Sequence, residues 1–168
     1  MADVNAVLAN DRVAVNELIT AAEKCGPAWT APRAPGKWSP SQLVEHVALA
    51  LEESANVVSG VPSKFPTLPA LVRPLVRALF FNRVLKKGAF PKAKTSKAFD
   101  PANGPATPAQ ARVRLEEALA RFEQACRARA ASGQKVDSTI FGTLSVEDYA
   151  KFREVHTRHH CKQMPGAM

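Results

Sequence analysis

Apolar residues recur at three- and four-residue spacing in four long stretches, and no stretch alternates convincingly with period two. Between Val4 and Lys24, the positions Val4, Leu8, Val15, Leu18, Ile19 and Ala22 share one helical face. Gly26-Pro27 ends that helix. Asp11 falls inside its apolar stripe, where a carboxylate is expected to pair with an arginine or a backbone donor. A second helix opens at SPSQ. Ser39 is the expected N-cap, Pro40 takes the first helical position and Gln42 closes a capping box. This helix is apolar round most of its circumference and stops near Gly60. A third helix opens at TPAQ, buries Leu115, Ala118, Leu119, Phe122 and Cys126, and ends before Gly133. The last begins at Ser145, carries Glu147 and Asp148 in its first turn, and runs to about Met164.

Between the second and third helices lies a long crossover, residues 63–105. It contains one more helical pattern, LPALVRPLVRALFFNRVLKKG, expected to kink at Pro74, followed by the loose run PKAKTSKAFDPANGPA. The reading is therefore an all-α, four-helix bundle in one domain spanning 1–168. A crossover of this length lets the second and third helices run parallel, and the second and last are expected to be neighbours.

The net charge of +8 does not alter this picture once it is mapped. Residues 54–99 hold nine Lys or Arg and no Asp or Glu, and the rest of the chain is nearly neutral. The crossover helix is thus basic and amphipathic. Three roles are open for it: packing on the bundle with solvated cations, placing Arg77 or Arg83 beside an anionic substrate, or meeting an acidic surface. The aromatic-basic pattern of a nucleic-acid module is missing. No apolar run is long enough for a membrane span, and the acidic, amphipathic start does not read as a signal peptide. A cytoplasmic protein is expected. The three cysteines form no disulfide framework and read as reduced thiols.

The candidate chemistry lies in EVHTRHHCKQM, which holds three of the four histidines. His156 and His160, one turn apart, lie on the face marked by Val146, Tyr149, Phe152 and Met164. His159 tilts to the rim. Two helical imidazoles need a third ligand, and His46, on the apolar second helix, is the remaining histidine. A metal site of His46, His156 and His160 with one open position follows. Cys161 points about 100° away from His160 and is not counted. Glu53, Glu154 and Arg158 stand near the ligands but read as solvated helix charges.

WSPSQLVEHV followed far downstream by VHTRHHCKQM resembles the DinB/YfiT-like superfamily of metal-binding helical bundles, with Trp38, Ser39, Gln42 and His46 matching one motif and His156, His160 and Gln163 the other. The resemblance implies a three-histidine site for Zn²⁺ or Ni²⁺. It also implies a thiol-dependent transferase or a metal-dependent hydrolase. A non-catalytic metal-binding or stress-associated bundle is the competing reading. The expected partners are a small-molecule substrate, a low-molecular-weight thiol among the candidates, and a second copy of the chain as a homodimer.

Overall fold

The structure is a computed structural model that describes residues 3–91 and 95–166. Most of these residues are helical. Helix α1 (Val4–Glu23) starts at Asp3, whose carboxylate accepts from the amide of Asn5. Helix α2 (Pro40–Ser59) has the full capping box: Ser39 Oγ accepts from the amide of Gln42, and Gln42 Oε1 accepts from the amide of Ser39. It ends at Gly60, whose φ of 75° is left-handed. Helix α5 (Pro108–Ala131) is capped by Thr107, and α6 (Val146–Cys161) by Ser145. In α5 the reciprocal bond is displaced by one residue, because Gln110 accepts from the amide of Ala106.

Cross-links give the directions of the helices. Arg114 of α5 bridges Glu45 and Glu52 of α2, and farther along Arg121 donates to Asn56, so α2 and α5 run parallel as the crossover allows. Arg12 of α1 pairs with Glu123, and Glu23 with Arg112, so α1 is antiparallel to α5. Glu17 pairs with Arg158 while the carbonyl of Ala14 faces Cys161, so α1 is also antiparallel to α6. Leu18, Ile19, Val44, Leu51, Leu115 and Phe122 fill the interior between these helices. The second and last helices do touch, although α2 packs far more extensively on α5 and α6 on α1.

The crossover helix differs from expectation. Pro74 does not kink it but lies in the first turn of α3 (Arg73–Val76), where no helical amide is lost. The irregularity comes one turn later. Arg77–Phe81 form a π turn, which passes into α4 (Asn82–Lys87). Phe81 and Val84 are buried, and the Phe81 ring stacks on Phe152 of α6 at 4.7 Å. Leu71, Leu75 and Leu79 remain exposed. Residues 92–94 of the loose run after this helix lie outside the described residues.

The all-α expectation also needs correction. Strands β1 (Val136–Ser138) and β2 (Gly142–Leu144) form an antiparallel hairpin, with Val136 opposite Leu144. Three-residue strands are too short to carry a period-two signal. The hairpin anchors the crossover: the Leu68 amide donates to the Thr139 carbonyl, Thr139 Oγ1 to the Pro66 carbonyl, and Arg77 to the Thr143 carbonyl. The cysteines at 25, 126 and 161 are free thiols.

Candidate metal centre

Helix α6 presents Phe152, Arg153, His156 and His160 along one side, as the three-four spacing requires. Helix α2 brings His46 to meet them. The Nε2 atom of His156 lies 3.2 Å from Nε2 of His46 and 3.2 Å from Nε2 of His160. One ring nitrogen from each of the three lies within 4.8 Å of the others, close enough to hold a metal ion.

The hydrogen bonds at the far side of two rings settle their tautomers. His46 Nδ1 faces the carbonyl of Phe99 at 2.7 Å, so it carries the proton and donates. His160 Nδ1 likewise donates to Oε1 of Gln163 at 3.1 Å. Each ring therefore turns a bare Nε2 lone pair toward His156. A single His156 Nε2 proton satisfies one of them well and leaves the other lone pair without a donor of its own. A cation resolves this arrangement and a third imidazole proton does not. Nitrogens 3.2 Å apart subtend roughly 100–106° at an ion held 2.0–2.1 Å from each. That is close to the tetrahedral angle for these two contacts, and the three nitrogens together lie close enough to hold a metal ion.

The rings are biased to be neutral. Burial pulls the His160 imidazole down to about 3, with the neighbouring His46 and His159 rings adding to the shift. Burial and the neighbouring His160 and Arg153 push His156 well below the usual imidazole range. Burial also lowers His46, opposed by its bond to Phe99. Neutral imidazoles are the metal-binding form.

A strap, residues 99–105, orients His46 from outside. Gln42 donates to the carbonyls of Pro101 and Ala102, Trp38 Nε1 to Asp100, and both Ser41 Oγ and Trp29 Nε1 to the carbonyl of Pro105. Gly104 lies directly on α2: a Cβ there would stand 2.1 Å from the Ser41 carbonyl oxygen. Trp38 also covers the His46 ring, centroid to centroid 4.8 Å. His159 is half-buried at the rim, where its Nε2 accepts from the Gln163 amide at 2.9 Å. One glutamine thus contacts both neighbouring histidines.

The imidazoles open onto a cavity of about 280 Å³ walled by Phe65, Phe80, Phe90, Phe141 and Phe152. Among the described residues no carboxylate lines it. Glu53 is not a solvated charge. It is buried, and accepts from the Lys64 amide at 2.8 Å, tying the start of the crossover to α2. Glu154 and Arg158 pair with each other, and Arg158 also with Glu17. Arg77 is spent on the Thr143 carbonyl, and neither it nor Arg83 lines the cavity. The crossover contributes phenylalanines there. Among the described residues the cation that lines it is Arg153, which the sequence reading missed. Its signal was a charge three residues before His156, in the middle of a buried helical face.

Asp11 is fully buried, but the expected partner is missing: neither carboxylate oxygen has a hydrogen-bond partner among the described residues. Burial pushes its carboxyl up to about 8, opposed by Arg153.

Comparison with known proteins overturns the DinB/YfiT-like resemblance, since the family model that matches carries no link to that superfamily. The thiol chemistry that rested on it loses its support. No curated protein and no solved structure matches the chain. The match covers residues 11–166, from the buried aspartate through the whole histidine cluster, and the chain belongs to the family described as "Protein of unknown function (DUF1569)".

Proposed function

We propose that this protein is a metal-dependent enzyme, with His46, His156 and His160 holding one divalent ion, Zn²⁺ or Ni²⁺, and a fourth position open to the phenylalanine-lined cavity. The observation that carries the reading is the cavity itself: three imidazoles converge at its edge, and among the described residues no carboxylate or thiol lines it to complete the coordination. A purely structural site is closed by a fourth protein ligand. An ion at this place supplies Lewis-acid polarisation of a substrate oxygen or activation of a water. The protein's part is to hold the rings neutral and oriented and to present a dry, apolar wall to a small-molecule substrate. With no carboxylate lining the cavity among the described residues, the rim imidazole of His159 would accept a proton once Gln163 releases its Nε2. Hydrolysis is the reaction class this arrangement suits best. We further read the four long helices as a single-domain four-helix bundle over residues 1–168, with the crossover acting as the lid-side wall of the site.

The test is metal analysis of protein prepared without a histidine tag, followed by Co²⁺ substitution. A three-histidine site with an open position gives a visible Co²⁺ spectrum that shifts on adding azide. Stoichiometric metal in wild type, lost in His46→Ala, His156→Ala and His160→Ala but kept in His159→Ala, is the expected pattern. A Co²⁺ spectrum indifferent to azide would favour the non-catalytic reading.

A further inference from the structure

We propose that the cavity is a carboxylate pocket: it takes a small carboxylic acid with an aromatic or branched apolar body, the anion bound by Arg153 and the body held against Phe80, Phe90 and Phe152. The inference deepens the substrate-site reading above, but it does not depend on the metal.

Arg153 is only 6% exposed, yet it lines the cavity beside the histidines. Among the described residues it has no ion-pair partner within 4.0 Å, and its Nε has no hydrogen-bond partner. Its company is aromatic: the guanidinium carbon lies 4.6 Å from the centroid of Phe152, 5.8 Å from Tyr149 and 5.9 Å from Phe65. Cation–π contact offsets part of the cost of burying the charge but leaves the donors unused. Elsewhere in the chain the arginines most tightly held between helices are satisfied, Arg114 by two carboxylates and Arg158 by two more. A planar guanidinium with a free fork matches a carboxylate through two parallel N–H···O bonds.

The position fits a substrate anchor. Arg153 precedes His156 by three residues, so both project from one side of α6 into the same space. A ligand gripped at its carboxylate would lie with another part of its body near the imidazoles. The volume, about 280 Å³, is near the lower end of roughly 300–1,000 Å³ for small-molecule pockets. That favours a compact acid. The rest of the wall is mainly phenylalanine, isoleucine and proline, with the imidazoles, Thr95 and Ser96 as its polar part, and so largely apolar a wall selects against a small hydrated anion such as inorganic phosphate.

The test uses the full chain and three probes: phenylacetate, its neutral amide phenylacetamide, and inorganic phosphate. Binding is followed by calorimetry and by chemical-shift change, on metal-loaded protein and after chelation. Wild type should prefer phenylacetate over phenylacetamide by at least about tenfold, as loss of a charge-assisted pair implies. The preference should persist after chelation, where a carboxylate cannot be gripping a metal instead. Arg153→Met should abolish the preference while retaining metal binding, and should fold at least as stably because it removes an unpaired buried charge. Any of these results overturns the proposal: acid and amide binding equally or not at all to wild type, an acid preference unchanged in Arg153→Met, or phosphate competing as well as phenylacetate. A preference present only in metal-loaded protein also overturns it and leaves the metal reading intact. Absence of metal binding with the preference retained would fail the metal reading alone.

Discussion

His46 and Phe99, fifty-three residues apart, are joined by a 2.7 Å bond from the imidazole Nδ1–H to the backbone carbonyl. Through it the strap 99–105 decides which nitrogen His46 turns toward the other histidines. Outer partners of this kind typically change metal affinity by about 10–100-fold when removed. Gly104→Ala should therefore weaken metal binding by that order without touching a ligand, because its Cβ collides with the backbone of Ser41 and lifts the strap. Competition with a chromophoric chelator measures it. Gln42→Ala, which frees the strap at Pro101 and Ala102, should act in the same direction. Unchanged affinity in both would show that the strap does not orient the ring.

Metal should stabilise the fold as well as equip it. The ion would join α2 to α6, two helices with limited packing of their own. Ligand linkage gives about 2.7 kcal/mol when free metal exceeds the dissociation constant one-hundredfold. Chelation should lower the melting temperature of wild type and leave that of His46→Ala unmoved.

The pH dependence of the metal-free protein follows from two opposed groups. His46, His156 and His160 have folded pKa values below the usual 6.5, with His160 at about 3. Between those limits the unfolded chain binds more protons, so stability rises with pH. Their contribution is full above about 6.5 and is lost as pH falls toward the folded values. Denaturant titrations of wild type and of His160→Asn should agree near pH 7 and diverge as the pH falls toward 4, the variant losing less stability.

Asp11 has the opposite slope. Its carboxyl is raised from 3.8 to about 8, so the folded state holds a proton the unfolded state has lost. Stability is full below about 4 and declines as pH rises through 8. Asp11→Asn keeps the shape and removes the ionisation. It should match wild type below about pH 4 and exceed it at pH 8.5 by more than about 1 kcal/mol. Equal stability at both pH values would mean that Asp11 has a buried partner.

Arg114 tests the frame apart from the site. It forms bonds to Glu45 and Glu52 at 2.5–3.1 Å and is about a quarter exposed. Arg114→Ala should cost about 1–3 kcal/mol, less at high salt, with metal affinity unchanged.

The long helices were legible because their apolar spacing and their caps agree. Ser39, Thr107 and Ser145 each cap the helix they were expected to begin. The convergence of His46 with His156 and His160 was legible for the same reason: helical spacing places residues on faces, and buried faces meet. What spacing cannot report is the irregular backbone. The hairpin, the π turn and the strap are held by single carbonyls and amides that leave no periodic trace. Arg153 was hidden differently. A charge on an apolar face reads as an exception to the pattern, and only the empty space beside it gives it a meaning. Asp11 shows the converse, an exception for which a partner was expected and no hydrogen-bond partner is present among the described residues.

The π turn at Arg77–Phe81 carries one consequence for how this cavity can change over time. A wide turn of this kind accommodates one residue more than a regular helix does, and each residue of a helix advances the face by about 100°. Deleting a single residue within 77–81 would return the segment to α geometry with its two ends kept in phase, at the expense of one position in the wide turn. Phe80, which lines the cavity, and Phe81, which fills the core beside it, could not then both keep their places. A three-nucleotide deletion in the gene would therefore remodel the pocket wall in one step, leaving every histidine and Arg153 where they are. The specificity of the site is open to insertion and deletion as well as to substitution.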